Sequence, residues 1–291
     1  MDHVIELQIA DCQDIWSKLY YYYAHTYIET FKQDGERILR KAIRAFGVDR
    51  GTALRGKQEK AGLEINVKNL FTYYDLPDDP RFRRNKIKLT EQERFSETLV
   101  CPIADLWIKY GAKKLGRIYC EEFHHAMFGA YEHAFQIDLG QTLTQDEDNH
   151  CRFSIYGRPA NIPGGKFHRG LPSEEKFTVP DYRSGFETLV IRLSYRMISL
   201  ALSEFGDKAR QPFAEALEDF EKDVADQLIK RAEAMKVQLG ADFINLHCPI
   251  SIMSDTPNGD WMSYLRSGNE EPWKIFYDNV ILPLRKELIN N

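Results

Sequence analysis

The sequence predicts an α+β fold that is predominantly helical, with a small antiparallel β-sheet or hairpin packed against helices. Apolar residues recur at three- and four-residue spacing over most of the chain, which is the period of an amphipathic helix. Between Phe135 and Tyr156, apolar and polar residues instead alternate on either side of a turn, as they do in a β-hairpin. A composition that is 43% hydrophobic and 29% charged is ordinary for a globular protein.

The N-terminal part of the chain is predicted to be helical. From Asp11 to Gly47 the apolar spacing indicates two helices, and the second is expected to end at Gly47 because glycine often follows the last helical turn. Thr90 and Glu93 have the spacing of a capping box, which predicts a short helix from that point. A short helix is predicted at Asp49–Ala61, and a short helical or extended piece at Val67–Tyr74. A surface loop is predicted at Leu76–Lys88.

The middle of the chain is predicted as two helices followed by the hairpin. Glycine and proline then recur from Gly157 to Tyr182, so this segment is expected to be irregular and to contain the domain boundary. We predict a core of helices and hairpin over residues 1–175 and a helical region over 176–291, and whether the two form one unit stays open. The helices are expected at Ile103–Tyr110, Leu115–Ala134, Phe186–Phe205, Pro212–Leu239 and Glu270–Leu288, with a short strand or buried connection at Ile244–Met253.

Charge and composition restrict the function. A net charge of −5 argues against a general nucleic-acid binder, which normally has a basic face, and favours a small-molecule substrate. The N-terminus lacks the apolar core of a signal peptide, and no apolar run reaches membrane-spanning length, so we expect a cytoplasmic protein without a membrane partner. Five cysteines at irregular spacing, with no CxxC pair, do not favour a structural zinc site. A homo-oligomer is compatible with the sequence.

The stretch from Leu99 to Phe153 is predicted to hold the active centre, because it contains three of the five cysteines and four of the eight histidines. Cys101 precedes a proline and therefore is expected at a helix start, where the positive end of the helix dipole would lower the pKa of its thiol. Cys120 and His124 are four residues apart on a predicted helix and so project from one side of it. Glu121 and His125 share the neighbouring side by the same spacing.

These pieces together resemble the L-2-amino-thiazoline-4-carboxylic acid hydrolase family over roughly residues 30–155. The resemblance implies a hydrolase that opens a C–N bond of a small cyclic amidine or imine-type heterocycle; the namesake reaction gives N-carbamoyl-cysteine. The helical segment after Pro180 lies beyond this resemblance. The resemblance rests on Ile38–Gly47 with Arg50-Gly51, on Cys101-Pro102, on Leu115-Gly116 with Tyr119-Cys120-Glu121, and on Gln141–Thr144 with His150–Phe153.

Hydrolysis of an amidine needs a nucleophile, a proton donor for the leaving atom and a group that holds the substrate carboxylate. We rank Cys101 first as nucleophile, with Cys120 and His124 as its partners and Cys151 as wall or ligand. The remaining catalytic candidates are Glu121 and His125, which would orient the imidazole, activate water or donate a proton. The candidates for substrate binding are Arg117, Arg152 and Asp105, the arginines because guanidinium binds carboxylate through two hydrogen bonds.

Three alternatives stay open. No cofactor is expected, but Cys120, His124 and Cys151 have the residue types of a zinc site with one open position. The competing alternative is a non-catalytic sensor, in which the same helices and hairpin enclose a ligand and the cysteines merely line the pocket. A biosynthetic tailoring enzyme on the same scaffold is the third possibility.

Overall fold

The computed structural model describes residues 3–289 of the chain. It is predominantly helical with one four-stranded antiparallel sheet, so the predicted fold class is confirmed. The chain divides into two compact units, Met1–Ala42 with Tyr182–Asn291, and Ile43–Asp181. The elements are α1 (His3–Lys60), α2 (Val67–Thr72), β1 (Arg83–Leu89), β2 (Glu93–Val100), α3 (Pro102–Lys109), α4 (Lys113–Tyr131), β3 (Gln136–Gln141), β4 (Cys151–Tyr156), α5 (Tyr182–Phe205), α6 (Arg210–Met235), α7 (Ala241–His247), α8 (Asp260–Leu265), α9 (Glu271–Phe276) and α10 (Leu282–Leu288).

The discontinuous unit is built from helices. It contains residues 3–42 of α1 together with α5 to α10, and a π-helical turn at Tyr277–Ile281 joins α9 to α10. The hydroxyl of Tyr27 on α1 donates a hydrogen bond to the Met197 carbonyl of α5 at 2.5 Å. On the same helix, the buried Asp11 carboxylate accepts three hydrogen bonds from Arg231 and contacts Nδ1 of His247 at 2.6 Å. These long-range contacts join the first helix to helices near the other end of the sequence.

The continuous unit, residues 43–181, contains the sheet in the strand order β1-β2-β4-β3. Ser96 of β2 lies opposite Phe153 of β4, and Thr98 lies opposite Cys151, so these four residues share one face of the sheet. Helix α4 packs against this sheet, with the ring of His124 4.9 Å from that of Phe153. This face and α4 together position the cysteines described below.

Two glycines allow α1 to approach α4 closely. A Cβ on Gly47 would lie 2.9 Å from the carbonyl oxygen of Phe123, and one on Gly51 would lie 2.1 Å from that of Met127. Because real Cβ atoms do not approach backbone oxygens so closely, only glycine fits at either position. The expectation that a helix ends at Gly47 was therefore wrong: the helix continues to Lys60, and the glycine serves the packing. A break does divide α1, at Lys32, where φ is 52°.

The sequence also missed two strands. The segment expected to be a loop contains β1, and the segment expected to start a helix at Thr90 is β2. Thr90 donates its backbone N–H to the carbonyl of Glu93 at 2.8 Å, which closes the turn between these strands rather than capping a helix. Farther along, α7 lies across the start of Ile244–Met253, which was expected to be extended or irregular.

Most of the later elements lie where they were predicted. Strands β3 and β4 form the expected antiparallel hairpin, and α3, α4, α5 and α6 match the predicted helices to within a few residues. The grouping into units differs from the predicted division at residue 175, because residues up to 42 group with the C-terminal helices. Within residues 3–289, no helix combines the length and the apolar character that crossing a bilayer requires.

Candidate active site

Three cysteines from separate segments come close together in the unit formed by residues 43–181. Cys101 stands between β2 and α3, Cys120 lies on α4, and Cys151 begins β4. The titration of Cys120 is affected by both other thiols, and that of Cys101 by Cys151, which places all three within electrostatic range of one another. The sequence pointed to these same cysteines, and we call the three, which lie within electrostatic range of one another, the cysteine cluster.

Cys101 occupies the N-cap position of α3 with Pro102 in the first turn, as predicted. Burial nevertheless raises the pKa of its thiol to about 12, and this outweighs the backbone N–H groups of Ala104 and Ile103, which lower it. The expectation of a lowered thiol pKa was therefore wrong. Partial charges at a short helix start do not compensate a thiolate for the loss of water.

Cys120 faces the segment that follows β3. A hydrogen bond with the Thr144 side chain lowers the pKa of its thiol, but burial raises that pKa further than the hydrogen bond lowers it. Gly116, one turn earlier on α4, makes this contact possible. A Cβ there would lie 2.6 Å from the Trp107 ring and 2.9 Å from the methyl group of Thr144. The close approach of α4 to Thr144 thus depends on the missing side chain.

Cys151 is buried, and its sulfur accepts a hydrogen bond from the backbone N–H of Leu143 at 3.3 Å. Burial raises the pKa of this thiol too. Cys101 and Cys120, by contrast, each keep part of their surface accessible to solvent although protein atoms surround them densely enough to raise their pKa values. Residues with both properties lie at the edge of a buried region, and we use the word recess for the space beside Cys101 and Cys120 at this edge.

His124 projects from α4 one turn after Cys120 and lies among aromatic rings. Its ring centroid is 5.3 Å from that of Phe123, 5.8 Å from that of Phe128 and 4.9 Å from that of Phe153. Its Nδ1 atom is fully buried and has no hydrogen-bond partner among residues 3–289. Burial lowers the pKa of His124 to about 3, helped by the positive charges of His125, Arg50 and Arg94 in that order. The imidazole is therefore neutral at physiological pH.

The other helical candidates lie on the outer side of α4. Arg117 donates a hydrogen bond to the Glu121 carboxylate at 2.6 Å, and the Arg117 side chain is half exposed. His125 is exposed, with Nδ1 3.2 Å from the backbone oxygen of Glu121. The structure thus separates this set from the thiols, although the charge of Glu121 still raises the pKa of the adjacent Cys120.

Two further substrate-binding candidates also point outward. Asp105 on α3 is exposed. Arg152, which follows Cys151 on β4, is exposed as well and lies 3.9 Å from the carboxylate of Glu97. Because successive strand residues point to opposite faces, Arg152 lies on the face away from Cys151.

Sequence reasoning missed Arg94 and Ser96 of β2. Both lie on the face of the sheet that carries Cys151, since Thr98 on that face is opposite Cys151 and alternate strand residues share a face. A strand whose inward positions are Arg, Ser and Thr does not show apolar alternation, so the segment was not recognised as a strand. That polar inward pattern places the buried polar side chains of Ser96 and Thr98 on the face that carries Cys151.

Within the part of the chain that the structure describes, no group of three or more His, Cys, Asp and Glu side chains is arranged to hold a metal ion. The set considered for zinc, Cys120, His124 and Cys151, therefore does not have coordinating geometry.

Comparison with protein families finds one that matches. Residues 13–155, just under half of the chain, match the family model of L-2-amino-thiazoline-4-carboxylic acid hydrolase. This is the family that the sequence pieces resemble, and the matched residues include all three clustered cysteines and His124. Comparisons with curated proteins and with solved structures give no match.

Proposed function

We propose that this protein hydrolyses a small cyclic amidine bearing a carboxylate, L-2-amino-thiazoline-4-carboxylate or a close relative, in the recess lined by Cys101 and Cys120. The observation that supports this most is the convergence of three thiols from separate segments beside His124, whose buried Nδ1 has no partner among residues 3–289. The family match supplies the substrate class.

In the proposed reaction, the sulfur of Cys101 attacks the amidine carbon of the ring. The carbon–sulfur bond of the ring then breaks, and the leaving sulfur takes the thiol proton, so the substrate becomes attached to the enzyme as an isothiourea. Water adds to the same carbon, the bond to Cys101 breaks, and the enzyme sulfur recovers a proton from that water. The sum is one substrate plus one water to one N-carbamoyl-cysteine.

The atoms retained in the product determine which bond of the substrate ring breaks. N-carbamoyl-cysteine keeps both amidine nitrogens, so ring opening of the thiazoline must break a C–S bond rather than the C–N bond expected from the sequence. Cleavage of a C–N bond remains the proposal for a nitrogen-only ring, such as an imine-type or lactam-like substrate.

The raised thiol pKa values set a condition on this mechanism. Because Cys101 keeps its proton in the free protein, its sulfur must lose that proton as it attacks. The neutral imidazole of His124 is the group proposed to relay the proton, with Nδ1 accepting it and Nε2 releasing it. Thr144 and the other two thiols would shape the recess around the ring.

The same pKa values favour a second candidate function. Thiols that stay protonated are poor nucleophiles, as expected if this unit only binds a ligand and the cysteines line its pocket. A sensor of this kind would bind the heterocycle and leave it intact.

Incubation with L-2-amino-thiazoline-4-carboxylate separates the two functions. A hydrolase releases a free thiol and a product heavier by one water, detected with a thiol reagent and by mass spectrometry. A sensor gives ligand-induced thermal stabilisation with no product. If the protein shows neither turnover nor binding with this compound, and neither with imine-type and lactam-like relatives, the proposed substrate class is refuted.

Serine substitutions identify the nucleophile. Cys101→Ser is expected to lower turnover by about 100-fold or more, since a serine hydroxyl is a far weaker nucleophile here. Cys248→Ser in the other unit is the matched control, because it also replaces a buried cysteine. Full turnover by the folded Cys101→Ser variant would move the role to Cys120 or Cys151. A bound metal lost only from Cys120→Ser or Cys151→Ser would support the zinc alternative.

A further inference from the structure

Arg94 on β2 carries a guanidinium group for which residues 3–289 provide no counter-ion. Its central carbon lies 3.7 Å from the centroid of the Phe71 ring, and the residue is half-buried. Among residues 3–289, no side chain forms an ion pair or hydrogen bond with this guanidinium. The acid that influences it from farther away, Asp78, already binds Arg84 at 3.0 Å. The guanidinium N–H groups of Arg94 are therefore not used by any of residues 3–289 and can donate to a bound ligand.

The position of Arg94 in the sheet places it on the same face as Cys151, opposite Ile155 of β4. Arg94 and Ser96 share a face of β2, and Ser96 lies opposite Phe153. The ring of Phe153 contacts His124, and the charge of Arg94 is close enough to lower the pKa of that histidine. Arg94 thus shares the sheet face of Cys151 and lies within electrostatic range of His124, the histidine assigned to the reaction.

Two neighbouring polar atoms are also unsatisfied. Ser96 is fully buried, and its hydroxyl oxygen, like Nδ1 of His124, has no partner among the described residues. Leaving buried polar groups and a desolvated charge unpaired is costly. Burial and the nearby Arg84 lower the pKa of Arg94 to about 10. The lowered pKa reflects the cost of keeping the guanidinium charged where water is excluded. An anion bound at this place would relieve it.

We propose that Arg94 binds the carboxylate of the substrate, with the Ser96 hydroxyl as a further donor on the same sheet face. The inference rests on the proposed function, because it concerns the same recess. A planar guanidinium binds a carboxylate through two parallel hydrogen bonds, and stacking on Phe71 fixes its plane in advance. The ring of the substrate would then extend toward the thiols.

This assignment replaces the sequence-based candidates Arg117 and Arg152 in that role. Arg117 is exposed and already bound to Glu121, and Arg152 lies on the opposite face of β4. An exposed guanidinium that is fully hydrated gains little from a carboxylate, whereas a desolvated and unpaired one gains much more.

The test compares two probes that differ only in the carboxylate, L-2-amino-thiazoline-4-carboxylate and 2-amino-2-thiazoline. Affinity is measured by thermal shift and calorimetry on the full chain, for the natural protein and for Arg94→Met. The natural protein is expected to bind the carboxylate probe at least about 10-fold more tightly, and Arg94→Met is expected to bind both probes equally weakly. Arg83→Met, an exposed arginine on the neighbouring strand, is the matched control and should keep the preference.

Stability gives a second readout. An arginine that only supported the fold would destabilise the protein when it is replaced. Because Arg94 is a desolvated and unpaired charge, Arg94→Met should be at least as resistant to denaturant as the natural protein. Three results overturn the inference: no preference for the carboxylate in the natural protein, a preference retained by Arg94→Met, or a preference lost on Arg117→Met or Arg152→Met instead. Failure of the proposed hydrolysis is seen separately, as carboxylate-selective binding without product.

Discussion

At the scale of single residues, helical spacing predicted which side chains lie on the same side of a helix. It did not predict which side of the helix is buried. Cys120 with His124, and Glu121 with His125, are equally good pairs at four-residue spacing. Only packing against the sheet turns the first pair inward and leaves the second outside. The type and spacing of residues therefore identified the cysteines and His124, whereas the burial that sets their pKa values depends on contacts far away in sequence.

The raised pKa values predict slow alkylation of the clustered thiols. With its pKa raised to about 12, Cys101 has very little thiolate near neutral pH, so iodoacetamide should modify it about 100-fold more slowly than a free cysteine. The rate should rise only in alkaline solution. Peptide mapping by mass spectrometry measures it, with the denatured chain as the control in which all five cysteines react. Fast alkylation of Cys101 at neutral pH would show an activated thiolate.

At the scale of elements, local signals misled where tertiary contacts decide. Gly47 has the signature of a helix stop, yet it lies inside α1 because α4 approaches there too closely for a side chain. Strand β1 is mostly charged and exposed, so it shows no apolar alternation and passes for a loop. The hairpin β3–β4 was predictable because its pattern and turn residues are local.

Two glycines of α4 give a matched test of the packing around Cys120. Gly116→Ala should destabilise the protein by about 1–3 kcal/mol, since the new Cβ meets the Trp107 ring and the Thr144 methyl group at under 3 Å. Gly129→Ala, with nothing within 4 Å of its Cβ, should instead stabilise it by about 0.5–1 kcal/mol because alanine favours the helix. Denaturant unfolding measures both. Equal effects would mean that the close approach at Gly116 is not tightly constrained.

At the scale of the whole molecule, periodicity was enough to predict the fold class, because a mostly helical chain repeats its apolar residues regularly. The division into units was not predictable in the same way. The first 42 residues group with helices beyond residue 181 through contacts such as Tyr27 with Met197, and no local pattern encodes which distant helix a given helix meets. The family match, over residues 13–155, includes part of both units.

The two units are predicted to respond to acid in opposite directions. In the unit of residues 43–181, burial lowers the pKa of His124 to about 3 in the folded state, so between pH 6.5 and 3 the unfolded chain binds more protons, and stability is lost as pH falls. In the helical unit, burial and then Glu287 raise the pKa of Glu221 to about 7. Between its ordinary value of 4.5 and 7 the folded state binds more protons, so stability increases as pH falls.

Hydrogen exchange followed by mass spectrometry resolves the units within one chain. After correction for the intrinsic exchange rate, protection of α4 should decrease from pH 7 to pH 5, while protection of α6 around Glu221 should increase. Glu221→Gln should remove the increase, because its neutral amide cannot ionise, and should stabilise the protein above pH 7. His124→Gln should remove the decrease in α4. Parallel changes in both units would contradict the prediction, since one global unfolding event would then govern exchange and the opposing titrations would cancel.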